Sequence, residues 1–310
     1  MKKILFFLFL IIPIISNASE SITLVVPFPA GGATDTIARV ADQMLNDANI
    51  SSVVLNKPGA NNVIGTNFVA EHATDGKIFL IGTNGSLASN LVFPAEGMEY
   101  NKNTFDPVVS LGTISFVLSV PYSSPIKNYA DYVNYVKIHP DKFIVGFWNR
   151  NTANIFYAWA EKEHLPRPTI VIYKGATPEM LDLLGNHIFS TWDTWLHVKP
   201  QVEAKKLRVL AVLDSNNLKS IQKIVTDHKV ISIGKKYPDL DTVVWFGIWA
   251  KHGTSSDIIK QINTIINRQL SNPKYKIKLE KLTVEQSGGT AEDLLKIQKQ
   301  NIQVLENLKK

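Results

Sequence analysis

Residues 25–39 read Val25-Val-Pro-Phe-Pro-Ala-Gly-Gly-Ala-Thr-Asp-Thr-Ile-Ala-Arg39, and the reading of this stretch decides the fold. Thr23 to Val26 is a short run of β-prone residues. Pro27 and Pro29 carry no N–H for a ladder, so the strand must end near Pro27. Gly31 and Gly32 supply backbone freedom for a turn. Beyond them Ile37, Val40, Ala41, Met44 and Leu45 recur at i, i+3, i+4, i+7 and i+8, one stripe of an amphipathic helix. The helix therefore starts within a residue or two of Gly32. Its first N–H groups have no intrahelical partners and carry the positive end of the helix dipole, so a bare glycine turn before them is a pocket for an anion such as a carboxylate. Residues 28–35 taken alone also fit a plain strand-to-helix turn.

Outward from this unit, strand and helix patterns alternate. Ser52 to Leu55 and Ile78 to Gly82 read as strands, with a turn at Lys57-Pro58-Gly59 and a helix from Val63 to Glu71 between them. These are βαβ units of a mostly parallel sheet, in which ligands sit beyond the carboxyl ends of the strands. The loop after Pro27 and the loop Thr83-Asn84-Gly85-Ser86 leave the same edge and can face one ligand. Leu111 to Val120 is a long apolar strand, and after Pro121 the rhythm restarts. The helices expected there are Tyr129 to Ile138, Asn151 to Glu163, Pro178 to Leu184 and Thr194 to Lys205; the strands are Phe143 to Phe147, Thr169 to Tyr173, His187 to Thr191 and Leu207 to Leu213. The polar tract Asp214 to Asp241 reads as a connection. A strand at Val243 to Ala250 and helices at Ser256 to Leu270, Pro273 to Lys281 and Ala291 to Lys310 complete the chain, the last opening on a capping box of Thr290 and Asp293.

The 310 residues, 45% hydrophobic and 19% charged, suit a globular protein of two modest lobes. Met-Lys-Lys, an apolar run from Ile4 to Ile15 and Ser16-Asn17-Ala18 read as a secretory leader cut after Ala18, which implies the periplasm. The run is too short to span a bilayer comfortably. With no cysteine, the chain has no disulfide, no thiolate metal site and no cysteine-linked lipid. The formal charge is +6, of which Lys2 and Lys3 in the leader supply two, and the lysines are scattered rather than gathered into the basic stripe of a nucleic-acid binder.

Pro27-Phe-Pro-Ala-Gly-Gly-Ala-Thr-Asp35 resembles the signature of the Bug family, the TctC-like periplasmic substrate-binding proteins of tripartite tricarboxylate transporters. Family-like pieces follow in order across the mature chain: Asn56-Lys57-Pro58-Gly59-Ala60, Thr74-Asp75-Gly76, Gly82 to Ser86, Tyr173-Lys174-Gly175-Ala176, Asp182 to Gly185, Asp193-Thr194 and Trp245-Phe246-Gly247. The resemblance implies a two-lobed α/β fold of the periplasmic-binding-protein (Venus flytrap) type, with a ligand cleft between two α/β domains and closure about a hinge. Residues 19–112 and 246–310 would form the first domain and 113–245 the inserted second. The implied role is capture of a small carboxylate for membrane transporter subunits, by a protein expected to act as a monomer. Dicarboxylate, tricarboxylate, aromatic acid and amino acid all remain open as ligand.

Site expectations follow from the loops and the resemblance together. Phe28 would be an apolar wall, the backbone N–H groups from about Gly31 through Gly32, Ala33 and Thr34 to Asp35 would hold a carboxylate, and Ala30 would also belong to the binding loop. Asp35 would cap loop or first-turn amides, or else pair with an ammonium group of an amino-acid ligand. Thr83, Asn84 and Ser86 have hydroxyls and an amide for a ligand oxygen, although Asn-Gly is also an ordinary turn. Tyr173, Lys174, Gly175 and Asp193 are carried over from the family. At 147–152 relatives have a Gly/Ser-rich turn where this chain has Phe-Trp-Asn-Arg-Asn-Thr. Trp148 would therefore narrow the pocket, Asn149 and Thr152 would belong to the same ligand loop, and Arg150 would grip a distal carboxylate bidentately; Arg150 in solvent and Trp148 in the core is the competing reading. No Gly-x-Ser-x-Gly elbow, P-loop, dinucleotide glycine pattern or His-Glu-x-x-His occurs, and the seven histidines form no i, i+4 pair. The chain is expected to be no enzyme, with no cofactor and no metal. The alternatives are a ligand-presenting sensor for a membrane histidine kinase and a small α/β enzyme acting on a carboxylic acid.

Overall fold

The computed structural model of the chain describes residues 21–148 and 150–309, with the backbone alone at 150 and 151. The chain divides between two sheets. The first takes β1 (Ile22–Val26), β2 (Ser52–Asn56), β3 (Ile78–Thr83), β4 (Phe105–Ile114) and the late β11 (Val244–Lys251), in the order β2-β1-β3-β11-β4. The second takes β5 (Phe116–Pro121), β6 (Ile144–Phe147), β7 (Thr169–Ile172), β8 (Ser190–Thr194), β9 (Leu207–Val212) and β10 (Ile231–Ser232), in the order β10-β9-β5-β8-β6-β7. β1 runs parallel to β2 and β3, whereas β11 is antiparallel to β3 and β4. In the second sheet β6 is parallel to β7 and β8, and β5 is antiparallel to β8 and β9. The result is a two-lobed α/β fold.

Helices cover the sheets because each carries an apolar stripe. α1 (Ala33–Asn46), α2 (Val63–His72) and the short α3 (Asn90–Val92) belong with the first sheet, as do α10 (Ser256–Leu270), α11 (Pro273–Lys281) and α12 (Ala291–Asn307). On α1 the five residues of the expected stripe are all buried. α12 opens on the Thr290 and Asp293 capping box, with both reciprocal hydrogen bonds made. α4 (Tyr129–Ile138), α5 (Arg150–Lys162), α6 (Ala176–Leu184), α7 (Trp195–Glu203), α8 (Leu218–Ile224) and α9 (Ile233–Lys236) belong with the second sheet. Its core is aromatic: Phe156 sits 4.9 Å from Trp159 and 5.3 Å from Trp192, centroid to centroid. Among the described residues no helix is long and apolar enough to cross a membrane, and the expected leader lies outside them.

Three expectations change. The strand read at Leu111 to Val120 is two strands, because the chain changes sheet at Ser115, whose carbonyl accepts from the N–H of Trp195 instead of from a ladder partner. The strand read at His187 to Thr191 lies three residues further on. His187 N–H donates to the carbonyl of Asp182, closing the end of α6 before β8 begins. The tract at Asp214 to Asp241 contains α8, β10 and α9, organised by side chains: Asp214 accepts from the N–H groups of Asn216 and Asn217, and Asp241 from Ser215. Such side-chain capping leaves no apolar period to read.

Candidate functional site

β1, β6, β7 and β8 all end toward one cavity, and the first loop shows how. Gly31 adopts a left-handed φ of +84°, so a glycine is needed there; Gly32 is the uncapped N-cap of α1. Asp35 is turned inward beneath the loop. Its carboxylate accepts from Gly31 N–H (2.9 Å), Arg39 Nε (3.0 Å) and Asn56 Nδ2 (2.9 Å), and Asn56 also donates to the Phe28 carbonyl. Burial alone would raise the Asp35 pKa, but the hydrogen bonds from Arg39, Gly31 and Asn56, with the Arg39 charge, outweigh it and hold the carboxyl below its usual range. The Gly31 amide is thus occupied within the protein. The N–H groups of Gly32, Ala33, Thr34 and Asp35 have no protein acceptor among the described residues.

The facing wall comes from the second sheet. Asp193 lies inside β8 and is fully buried. It accepts from Trp148 Nε1 (2.8 Å), Thr194 N–H (2.6 Å) and His197 Nδ1 (3.1 Å). Trp148 is half-buried and bridges the lobes, 6.1 Å edge-on from Phe28 and 6.3 Å from Phe116. Burial would lower the pKa of His197, but the charge and hydrogen bond of Asp193 outweigh that and raise it. α6 starts at an uncapped, extended Gly175, and the N–H groups of Ala176 and Thr177 also lack acceptors among the described residues.

Behind this wall sits a second carboxylate. Glu179, in the first turn of α6, is fully buried and neither oxygen has a partner in hydrogen-bonding geometry. Desolvation first, and then the Asp193 charge, push its pKa well above the usual value, although the nearby Trp148 main chain offsets part of this. A Cβ on Gly146 of β6 would lie 3.1 Å from Glu179 Cγ, so glycine there admits the side chain.

The cavity between these walls has a volume of about 660 Å³, within the range of small-molecule sites. Residues 28–34 line it on one side, and Trp148, Lys174, Gly175 and His197 on the other. Thr83 and Asn84 instead line an adjoining crevice of about 10 Å³, with Phe28, Thr34 and Trp148. The remaining expected residues are placed elsewhere. Ser86 is buried in a wide helical turn, its Oγ accepting from Thr83 N–H and its carbonyl from Tyr100. Thr152 is buried in α5. Tyr173 gives its hydroxyl proton to Asp182 at 2.6 Å, and Asp35 and Asp193 face the protein. None of these five lines the cavity, because packing or protein partners already occupy them. The contacts expected of Asn149 and the Arg150 side chain lie outside the described residues. Sequence reasoning missed His197 and the apolar wall on α6 and α7. The signal was Asp193 four residues before His197, a spacing that puts both at one strand end and helix start.

Residues 37–309 match the model of the family described as "Tripartite tricarboxylate transporter family receptor". The chain is 27% identical over 282 residues to the UPF0065 protein in the tcbD-tcbE intergenic region of Pseudomonas sp. (strain P51), covering 89% of this chain and 81% of that one. Among solved structures, R. palustris Rpa4515 with adipate superposes with a TM-score of 0.82 at 28% identity, over 93% of this chain and 95% of that one. The periplasmic binding protein BugD superposes with a TM-score of 0.80 at 26% identity, over 93% and 96%. The chain belongs to the receptor family of the tripartite tricarboxylate transporters.

Proposed function

We propose that the chain is a periplasmic receptor that captures a small carboxylate between its lobes and delivers it, chemically unchanged, to the membrane subunits of a transporter. The observation that carries this reading is that two uncapped helix starts, α1 from the first sheet and α6 from the second, open onto the same cavity with Lys174 and His197 beside them. One helix-terminus contact is worth about 0.3–1 kcal/mol, up to ~2 when partly buried. Micromolar binding requires about 8 kcal/mol, so neither lobe holds the ligand alone. Closure between lobes that exchange chain near Ser115 and near residues 241–243 brings both sets of amides to one guest. A relative solved with adipate supports a carboxylate as that guest. Catalysis is disfavoured by the His197 environment: the hydroxyl beside it, Thr194 Oγ1, bonds the same Nδ1 that Asp193 engages, and so is not aligned as a nucleophile on the cavity side.

A thermal-shift screen tests the reading. The protein is unfolded and refolded to shed carried ligand, then heated with adipate and a panel of small acids. A ligand at 100 times its Kd should add about 2.7 kcal/mol of stability, and chromatography should recover it intact. A panel that shifts nothing, or an acid consumed on incubation, sinks the proposal.

A further inference from the structure

The cavity is chemically divided along its length. α6 contributes Ala176 and Thr177 at its start and then Met180, Leu181 and Leu184, a stripe that follows the helix for about 12 Å at 1.5 Å per residue. α7 runs alongside and contributes Leu196 and Pro200. The cations on the described wall, Lys174 and His197, both lie at the starts of these helices, as do the free amides. Beyond the first turns Gln201 is the polar side chain that lines the space, and it is uncharged. Leu181 is 65% exposed, one of few large apolar side chains left open to solvent. A compact polar diacid would leave this trough wet, or place its second carboxylate among methionine and leucine side chains without a counter-charge among the described residues.

Resting on the carboxylate reading, we propose that the ligand is a monocarboxylate with an extended apolar body: its charged end sits at the α1 and α6 starts, and its chain or ring lies along the α6–α7 trough against Met180, Leu181, Leu184 and Leu196. Each methylene placed there contributes about 0.8 kcal/mol, which is about fourfold in Kd.

Titration calorimetry on the refolded protein with straight-chain acids from butanoate to decanoate, the α,ω-diacids of equal length and octanamide provides the test. Affinity should rise about fourfold per methylene until the trough is filled, and octanoate should bind at least tenfold tighter than octanedioate. Leu184→Ser should cut the octanoate-to-butanoate affinity ratio by at least fivefold, with the unfolding midpoint measured alongside to confirm a folded variant. Acids that bind with no dependence on length, or diacids that bind as tightly as monoacids, overturn the apolar-body assignment and leave carboxylate capture standing. Octanamide binding as tightly as octanoate overturns the carboxylate reading and leaves the trough; no binding by any acid overturns both.

Discussion

The two faces of the cleft are each built on a buried aspartate, yet the two do opposite kinds of work. Asp35 gathers donors from its own neighbourhood, Gly31 four residues before it and Arg39 four after, with Asn56 as the one distant partner. It holds a backbone loop, and what that loop offers for hydrogen bonding is free main-chain N–H, with Phe28 as its one large side chain on the cavity. Asp193 reaches Trp148 across 45 residues and sets that ring and His197 on the wall, so what faces the cavity is side chain. A main-chain site offers fixed, non-titrating N–H dipoles, whereas a side-chain site brings size, apolar surface and a titratable charge. On the proposed function, the first face would recognise any carboxylate and the second would choose among them.

The difference is sharpest when each carboxylate is removed. Asp193→Ala takes the shared acceptor from Trp148 Nε1, Thr194 N–H and His197 Nδ1, and the Thr194 amide is left unsatisfied in the interior. It should destabilise the fold by about 3 kcal/mol in a urea titration. His197 also loses the charge and hydrogen bond that raise its pKa, so affinity for an anion at neutral pH should fall on the order of tenfold. Asp35→Ala should cost less, about 2 kcal/mol, since the Arg39 side chain is 55% exposed and water can replace its lost partner. Equal losses would erase the distinction between the two faces.

A pH series separates the carboxylates by sign. The folded pKa of Asp35 is lowered, so its contribution is present above its unfolded value and disappears as pH falls through the folded one. Glu179 behaves oppositely. Its folded pKa is raised well above the ordinary 4.5, so the folded state keeps a proton that the unfolded chain releases, and stability is lost as pH rises from that value. Glu179→Gln, which mimics the protonated form, should therefore gain on the parent protein as pH rises from 4.5 to 8, by about 1 kcal/mol at the upper end as a urea midpoint difference. A gap that stays constant with pH would show that Glu179 is ionised in the folded protein.

The same contrast explains what was legible in the sequence. The β1-turn-α1 unit is written in adjacent residues, proline and glycine punctuation followed by a 3.6-residue stripe, and its amide pocket follows from helix geometry. The two-lobed architecture and the carboxylate-receptor family were readable because the pieces that carry the resemblance recur in order along the chain. The second wall was not readable in detail. Trp148 and His197 are held together only because Asp193 accepts from both, and β8 begins three residues later than its sequence pattern suggests, which puts Asp193 inside the strand as a buried hub instead of in the loop after it. Glu179 was invisible for the same reason: nothing local marks a first-turn glutamate as one that a glycine on another strand lets inside.

The smallest expected effect bears on the residues carried over by resemblance alone. Tyr173 directly follows β7, the strand that delivers Lys174 to the cavity, but its own hydroxyl is committed to Asp182 and its ring lies against Gly146. Desolvation and the Asp182 and Glu179 charges all act to raise its pKa, so the phenol stays protonated and serves as a donor at any physiological pH. Tyr173→Phe should therefore remove one partly exposed hydrogen bond, about 0.5–1 kcal/mol of stability, and leave ligand affinity within twofold of the parent by calorimetry. A larger loss of affinity with unchanged stability would mean that Tyr173 swings onto the ligand when the lobes close, and the second face would then read its guest through one more side chain than the cavity wall presents here.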